Sequence, residues 1–136
     1  MIIIDIHLII IHFAIALLSL ATLGTIFIWR SSNDKLNFAF DLSLWLGSVF
    51  AFIAVLAGTF SMQPYLTLHP ELKPLLIDHR TWALVSTTLY AIAAVWRGQQ
   101  ALLGRNVSCW IRLLCLLGFV ALCVTGYYGG ALANWH

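Results

Sequence analysis

From Ile2 to Trp29 the chain runs for 28 residues with no formal charge except Asp5. A helix needs roughly 20 predominantly apolar residues to cross the hydrocarbon core of a bilayer, so this run alone points to a membrane. Three more follow. Leu42–Met62 and Leu113–Trp135 carry no charge, and Leu75–Trp96 carries Asp78, His79 and Arg80 near its start, leaving Thr81–Trp96 clean. None alternates in polarity as a strand of a membrane barrel would. The expected fold is all-α, an integral membrane four-helix bundle forming a single transmembrane domain over residues 1–136, with helices near 2–29, 42–62, 75–97 and 113–135. Composition agrees: 62% of the 136 residues are hydrophobic and 9% charged, where a soluble domain has close to half and a quarter. The first run lacks a basic start and a clean small-residue cleavage site, and its apolar stretch is too long, so it is expected to be a permanent helix rather than a cleaved signal.

Four spans put both termini and the loop between helices two and three on one side, here side A. The loops Arg30–Asp41 and Arg97–Arg112 lie on side B, which holds Arg30, Lys35, Arg97, Arg105 and Arg112; side A holds only Lys73 and Arg80. By the positive-inside rule side B is cytoplasmic. The expected location is the bacterial inner membrane, with both termini periplasmic. Trp29, Trp96 and Trp110 near side B and Trp135 near side A fit an aromatic belt.

All five histidines fall on side A, a grouping independent of the Lys and Arg distribution. His7 and His12 begin helix one, His69 lies in the loop, His79 begins helix three, and His136 ends the chain. One histidine at a helix end is usually only interfacial, and His69 is read so. His12 is the hardest to dismiss, because an ionisable group inside a span is costly.

Other features say less. Cys109, Cys115 and Cys123 form no Cys-x-x-Cys-His haem-attachment motif and no zinc spacing, and read as small hydrophobes. No internal repeat, low-complexity segment or linker is visible. Gln63–Pro70, with two of the three prolines, reads as an ordered connection.

Positions five apart on a helix differ by about 140° in direction and about 7.5 Å in height. His7 and His12 therefore suit two separate centres, each completed from another helix, rather than one shared ion. Bundles build cofactor sites from side chains on facing helices, and two axial imidazoles suit an electron-transfer haem. On depth, His12 is expected opposite His79 and His7 opposite His136. Arg80 would neutralise a haem propionate, and Asp5 or Asp78 would hold a ligand ring N–H. Gly126, Gly129 and Gly130, packed into Thr125-Gly126-Tyr127-Tyr128-Gly129-Gly130, would admit a flat macrocycle or a neighbouring helix.

The chain resembles the bacterial membrane family known as domain of unknown function 2231. Members begin with His-Pro-x-x-x-His-Phe-Pro-Ile-Ala-Leu, which stands here as His7-Leu8-Ile9-Ile10-Ile11-His12-Phe13-Ala14-Ile15-Ala16-Leu17. The third helix opens with histidine and closes with arginine, as His79 to Arg97 does. The fourth ends in Thr-Gly-x-x-Gly-Gly-x-Leu followed by histidine, as Thr125–Leu132 and His136 do. The resemblance covers essentially the whole chain and implies a pair of haems on His7, His12, His79 and His136. Leu8 and Ala14 replace family prolines, which should straighten helix one and change the aim of its imidazoles.

The expected function is that of a membrane b-type cytochrome. It would bind one or two haem b groups through paired histidines near the periplasmic face. It would serve as an electron-transfer subunit of a larger redox complex rather than a stand-alone enzyme. Membrane lipids, that complex, a quinol and a periplasmic cytochrome c are the expected partners, and nucleic acid is not. The alternatives are a non-catalytic accessory subunit of a redox or photosynthetic complex, or a transition-metal site. Two methionines argue against a copper(I) carrier, and no mid-membrane carboxylate supports a proton-coupled transporter.

Overall fold

A computed structural model describes residues 2–28 and 33–134, with side chains over 7–27 and 33–134. Trp29, Arg30, Trp135, His136 and the side chain of Asp5 lie outside the described residues. Four α-helices run through the rest: α1 (Ile2–Ile28), α2 (Asp34–Leu68), α3 (Lys73–Leu102) and α4 (Cys109–Ala133), with a 3-10 turn at Pro70–Leu72. The expected all-α membrane bundle is what the chain forms. In α1 the stretch His7–Phe27, and α2 and α4 throughout, are long and apolar enough to cross a membrane. At 30 residues α3 has the length, but its charged and amide side chains lower its hydropathy.

The helices outrun the apolar segments that announce them. α2 starts at Asp34 rather than Leu42, because the Asn33 side chain accepts the Lys35 N–H at 3.0 Å and Asp34 lies in the first turn, favourable at the positive end of the helix dipole. It continues through Pro64 to Leu68, so the expected 63–70 connection is mostly helix and the reversal falls at Pro70–Leu72. The loop expected over 97–112 shrinks to 103–108: Gly104 takes φ +64°, and Ser108 caps α4 by accepting the Ile111 N–H at 3.4 Å. Cap and turn chemistry is invisible to a search for apolar runs. α1 is unbroken through Leu8 and Ala14.

Consecutive helices are antiparallel. On α1, His7 lies against Gly58 of α2 and Leu18 against Gly47; Trp45 of α2 donates its Nε1–H to the Ala94 carbonyl of α3 at 3.1 Å. α1 packs chiefly on α2 and α3 chiefly on α4. The two hairpins then meet more closely along α2–α3 than along α1–α4.

These hairpins repeat one another, which corrects the expectation of no internal repeat. The buried residues of α1 are Ala14, Leu18, Ala21, Thr22 and Thr25; those of α3 are Ser86, Tyr90, Ala93, Ala94 and Arg97. A displacement of 72 carries each member of the first set onto one of the second, and carries His7 onto His79. Along α2 and α4 a displacement of 71 carries buried Phe40, Leu44, Gly47 and Ala54 onto Ile111, Cys115, Gly118 and Thr125, and carries Gly58 onto Gly129. The close approaches repeat as well. A Cβ added at Gly47 would fall 2.7 Å from Leu18 Cδ2, and one at Gly118 3.0 Å from the Tyr90 ring, the counterpart of Leu18. Each hairpin holds two helices, so both copies enter the membrane in the same sense, related by an approximate two-fold axis along the bundle.

Small and hydroxylated residues share the interior with a few large ones such as Leu18, Leu44, Tyr90 and Ile111, while most large apolar side chains point outward; Phe27 is 68% exposed and Val95 66%. Lipid tails are as apolar as leucine, so membrane helices associate through small residues and hydrogen bonds. Tyr90, fully buried, ties the hairpins at mid-bundle, its hydroxyl 2.7 Å from Thr22 Oγ1. Buried Cys115, the counterpart of Leu44, fills the place of a small hydrophobe. At one end Arg97 grips Asp41 with two hydrogen bonds, at 2.6 and 2.9 Å, and donates a third to the Arg105 carbonyl at 2.8 Å. At the opposite end lie the histidines.

Candidate functional site

His7 is carried inward because it continues the buried stripe of α1: Ala14, Leu18, Ala21 and Thr25 lie seven, eleven, fourteen and eighteen residues on, the spacing of one helix face. His79 occupies the same place on α3. Both rings are half-buried, at the same end of two helices that Tyr90 and Thr22 tie together. His79, whose Nδ1 is 3.0 Å from the Thr125 carbonyl, donates its Nδ1–H there, since a carbonyl can only accept. In the neutral ring this leaves Nε2 as a lone-pair donor, the tautomer in which histidine binds metals.

A carbonyl in mid-helix normally lies under the side chain one turn ahead. Here that residue is Gly129, and a Cβ there would sit 3.2 Å from His79 Cε1 and 3.4 Å from Nδ1. The missing side chain is what lets the imidazole reach Thr125. The first hairpin repeats the device more loosely. His7 packs on Gly58, whose Cβ would come within 3.1 Å of Cε1, and turns toward the Ala54 backbone, the counterpart of Thr125. The His7 Nδ1 is buried without a hydrogen-bond partner of good geometry.

The other expected site residues fall elsewhere. His12 lies on the exposed side of α1, its Nδ1 bound to the Leu8 carbonyl of its own helix. Of the two, His7 lies on the buried side of α1 and His12 on the exposed side; depth along α1 says nothing about which face points inward. His136 lies outside the described residues. Arg80 is exposed and directs Nη1 to Met62 Sδ at 3.9 Å, and Asp78 is exposed. A Cβ at Gly126 or Gly130 would meet nothing within 4 Å, so of the three glycines only Gly129 borders a histidine. His69 forms an exposed contact with Glu71 at 3.5 Å and packs on Tyr65. Sequence reasoning missed Gly58, Ala54 and the Thr125 carbonyl. The signal available was the repeated His–Gly pair.

Among the described residues no three His, Cys, Asp or Glu side chains are placed to hold a metal ion. Two imidazoles suffice, however, for an iron that brings its own equatorial ligands. The donor set fits that use: the His79 ring has its tautomer fixed by Thr125 with Nε2 left over, and the His7 ring, turned toward Ala54 in the same way, would offer its Nε2 likewise.

Fold and site together define a four-helix integral membrane protein built from two like hairpins, with His7 and His79 at equivalent positions at one end. A family model described as predicted membrane protein, domain of unknown function 2231, matches residues 4–136. The chain belongs to that family. No curated protein and no solved structure matches it.

Proposed function

We propose that the protein is a membrane-embedded b-type cytochrome whose haem iron is held between His7 and His79. The observation that carries this is the arrangement of those rings. They come from equivalent positions of two hairpins at the same end of the bundle, and each lies against a glycine and is turned to a backbone carbonyl. A bis-imidazole haem supplies one-electron transfer without an open position for oxygen chemistry. The chain's own contribution is to fix the His79 tautomer through Thr125, to keep the site within a helical shell, and to hold both helices in register through Tyr90 and Thr22. The repeat supports one haem on the approximate two-fold axis; His12 and His136 have Leu84 and Tyr65 as counterparts and form no comparable symmetric pair.

The excess of Lys and Arg at the Arg97 end supports a cytoplasmic position for that end and a periplasmic one for the histidines, in a bacterial inner membrane. With little mass outside the bilayer, the protein would pass electrons within a larger redox complex, on to a periplasmic acceptor such as a cytochrome c. The test is the reduced-minus-oxidised spectrum and pyridine haemochrome of purified protein. A b-type band at one haem per chain is expected, lost in both His7→Ala and His79→Ala and kept in His69→Ala. A chain that carries no haem when expressed with haem in excess refutes the reading.

A further inference from the structure

The repeat accounts for His7 and His79 but leaves His12 unexplained. Its counterpart is Leu84, 43% exposed to the lipid, an ordinary residue for that position. The first hairpin instead sets an imidazole there, ten residues after the start of α1. The neighbouring departures cluster at the same place. Phe13 and Phe50 stack across α1 and α2 with ring centroids 5.7 Å apart and planes 26° apart; their counterparts are Val85 and Ala121. Phe13 is 56% exposed. One turn further on, the residue on the same face is the small, exposed Ala16.

We propose that this outer face of α1 binds the headgroup of a lipid-soluble quinone or quinol. The chemistry follows from the ring's state. His12 gives its Nδ1–H to the Leu8 carbonyl, so in the neutral imidazole Nε2 is unprotonated, and among the described residues it makes no hydrogen bond. What the site offers is an acceptor for a hydroxyl, set on an otherwise apolar, exposed helix face. A quinol presents such a hydroxyl on a flat ring that lies well against Phe13, and its isoprenoid tail keeps it in the same layer. An aromatic face beside a placed polar group is a recurring element of small-molecule recognition. His12 stands about 7.5 Å along the axis from His7, so a quinol there is a near neighbour of the inner histidine pair. The redox purpose of the site rests on the haem reading; the binding itself does not.

The test uses purified protein in detergent micelles, titrated with short-chain ubiquinone and menaquinone analogues and read by quenching of tryptophan fluorescence. Leu84→Ala, at the equivalent position of the second hairpin, controls for partition into the micelle. Saturable binding is expected in the native chain and in Leu84→Ala, weakened about tenfold or more in His12→Leu, which removes the acceptor, and partly kept in His12→Gln. Haem content should be the same in all four. Equal quenching in His12→Leu, or no saturable binding by the native chain, overturns the proposal. So does loss of haem from His12→Leu, which would make His12 an iron ligand. Because fluorescence reports binding with or without haem, a chain that binds quinone but no haem refutes only the cytochrome reading.

Discussion

Gly129→Ala puts the histidine site to a quantitative test. The added Cβ would stand 3.2 Å from His79 Cε1 and 3.4 Å from Nδ1, closer than comfortable carbon contacts by a few tenths of an ångström. The ring must retreat by about that much, and the direction of retreat is away from α4. The Nδ1–H bond to Thr125, now 3.0 Å, then lengthens toward the limit of a useful hydrogen bond. Losing it forfeits about 1 kcal/mol and frees the ring to take the wrong tautomer. In cofactor terms this is about a fivefold weaker affinity, with a broadened low-spin signal as the ligand loses its fixed orientation. Gly126→Ala and Gly130→Ala make no such contact; they should leave haem affinity unchanged and raise helix stability by about 0.5–1 kcal/mol each. The assay is haem titration of cofactor-depleted protein, with thermal unfolding of the depleted protein beside it. If Gly129→Ala binds haem as tightly as the native chain, or if the three variants behave alike, the account of glycine as the access to a carbonyl is wrong.

Two further predictions concern the scaffold. Asp41→Asn leaves Arg97 buried beside a neutral partner and should destabilise the bundle by about 3–5 kcal/mol, most of it recovered when Arg97→Met is added; unfolding of the two single variants and the double variant in micelles reads the coupling. Tyr90→Phe removes a hydroxyl 2.7 Å from Thr22 Oγ1 but keeps the ring, so a loss of about 1 kcal/mol is expected with no change in the haem band.

The sequence makes the helices plain and the site only half plain. Four apolar runs announce four helices because lipid tolerates little else. Their ends were hidden, since caps such as Asn33 and Ser108 and the positive φ of Gly104 belong to polar stretches. The five-residue spacing shows that His7 and His12 face differently. Which of them faces inward is not written in hydrophobicity, because α1 is apolar on every side. Only the stripe of small and hydroxylated residues from Ala14 to Thr25 tells, and in a membrane such residues mark an interface. The repeat was hidden for a related reason. Lipid-facing positions are free to drift among large apolar residues, so likeness survives only at buried places and close approaches, as at His7 and His79, Gly47 and Gly118, and Gly58 and Gly129.

The Asp41–Arg97 grip has a consequence for assembly. It closes one mouth of the bundle with three hydrogen bonds that owe nothing to the histidines, and Tyr90 laces the middle. The seam between α1 and α4 is the looser of the two between the hairpins. A chain pinned in this way has its cohesion at the clasp and in the middle, so the assembly of the bundle does not depend on its histidine end.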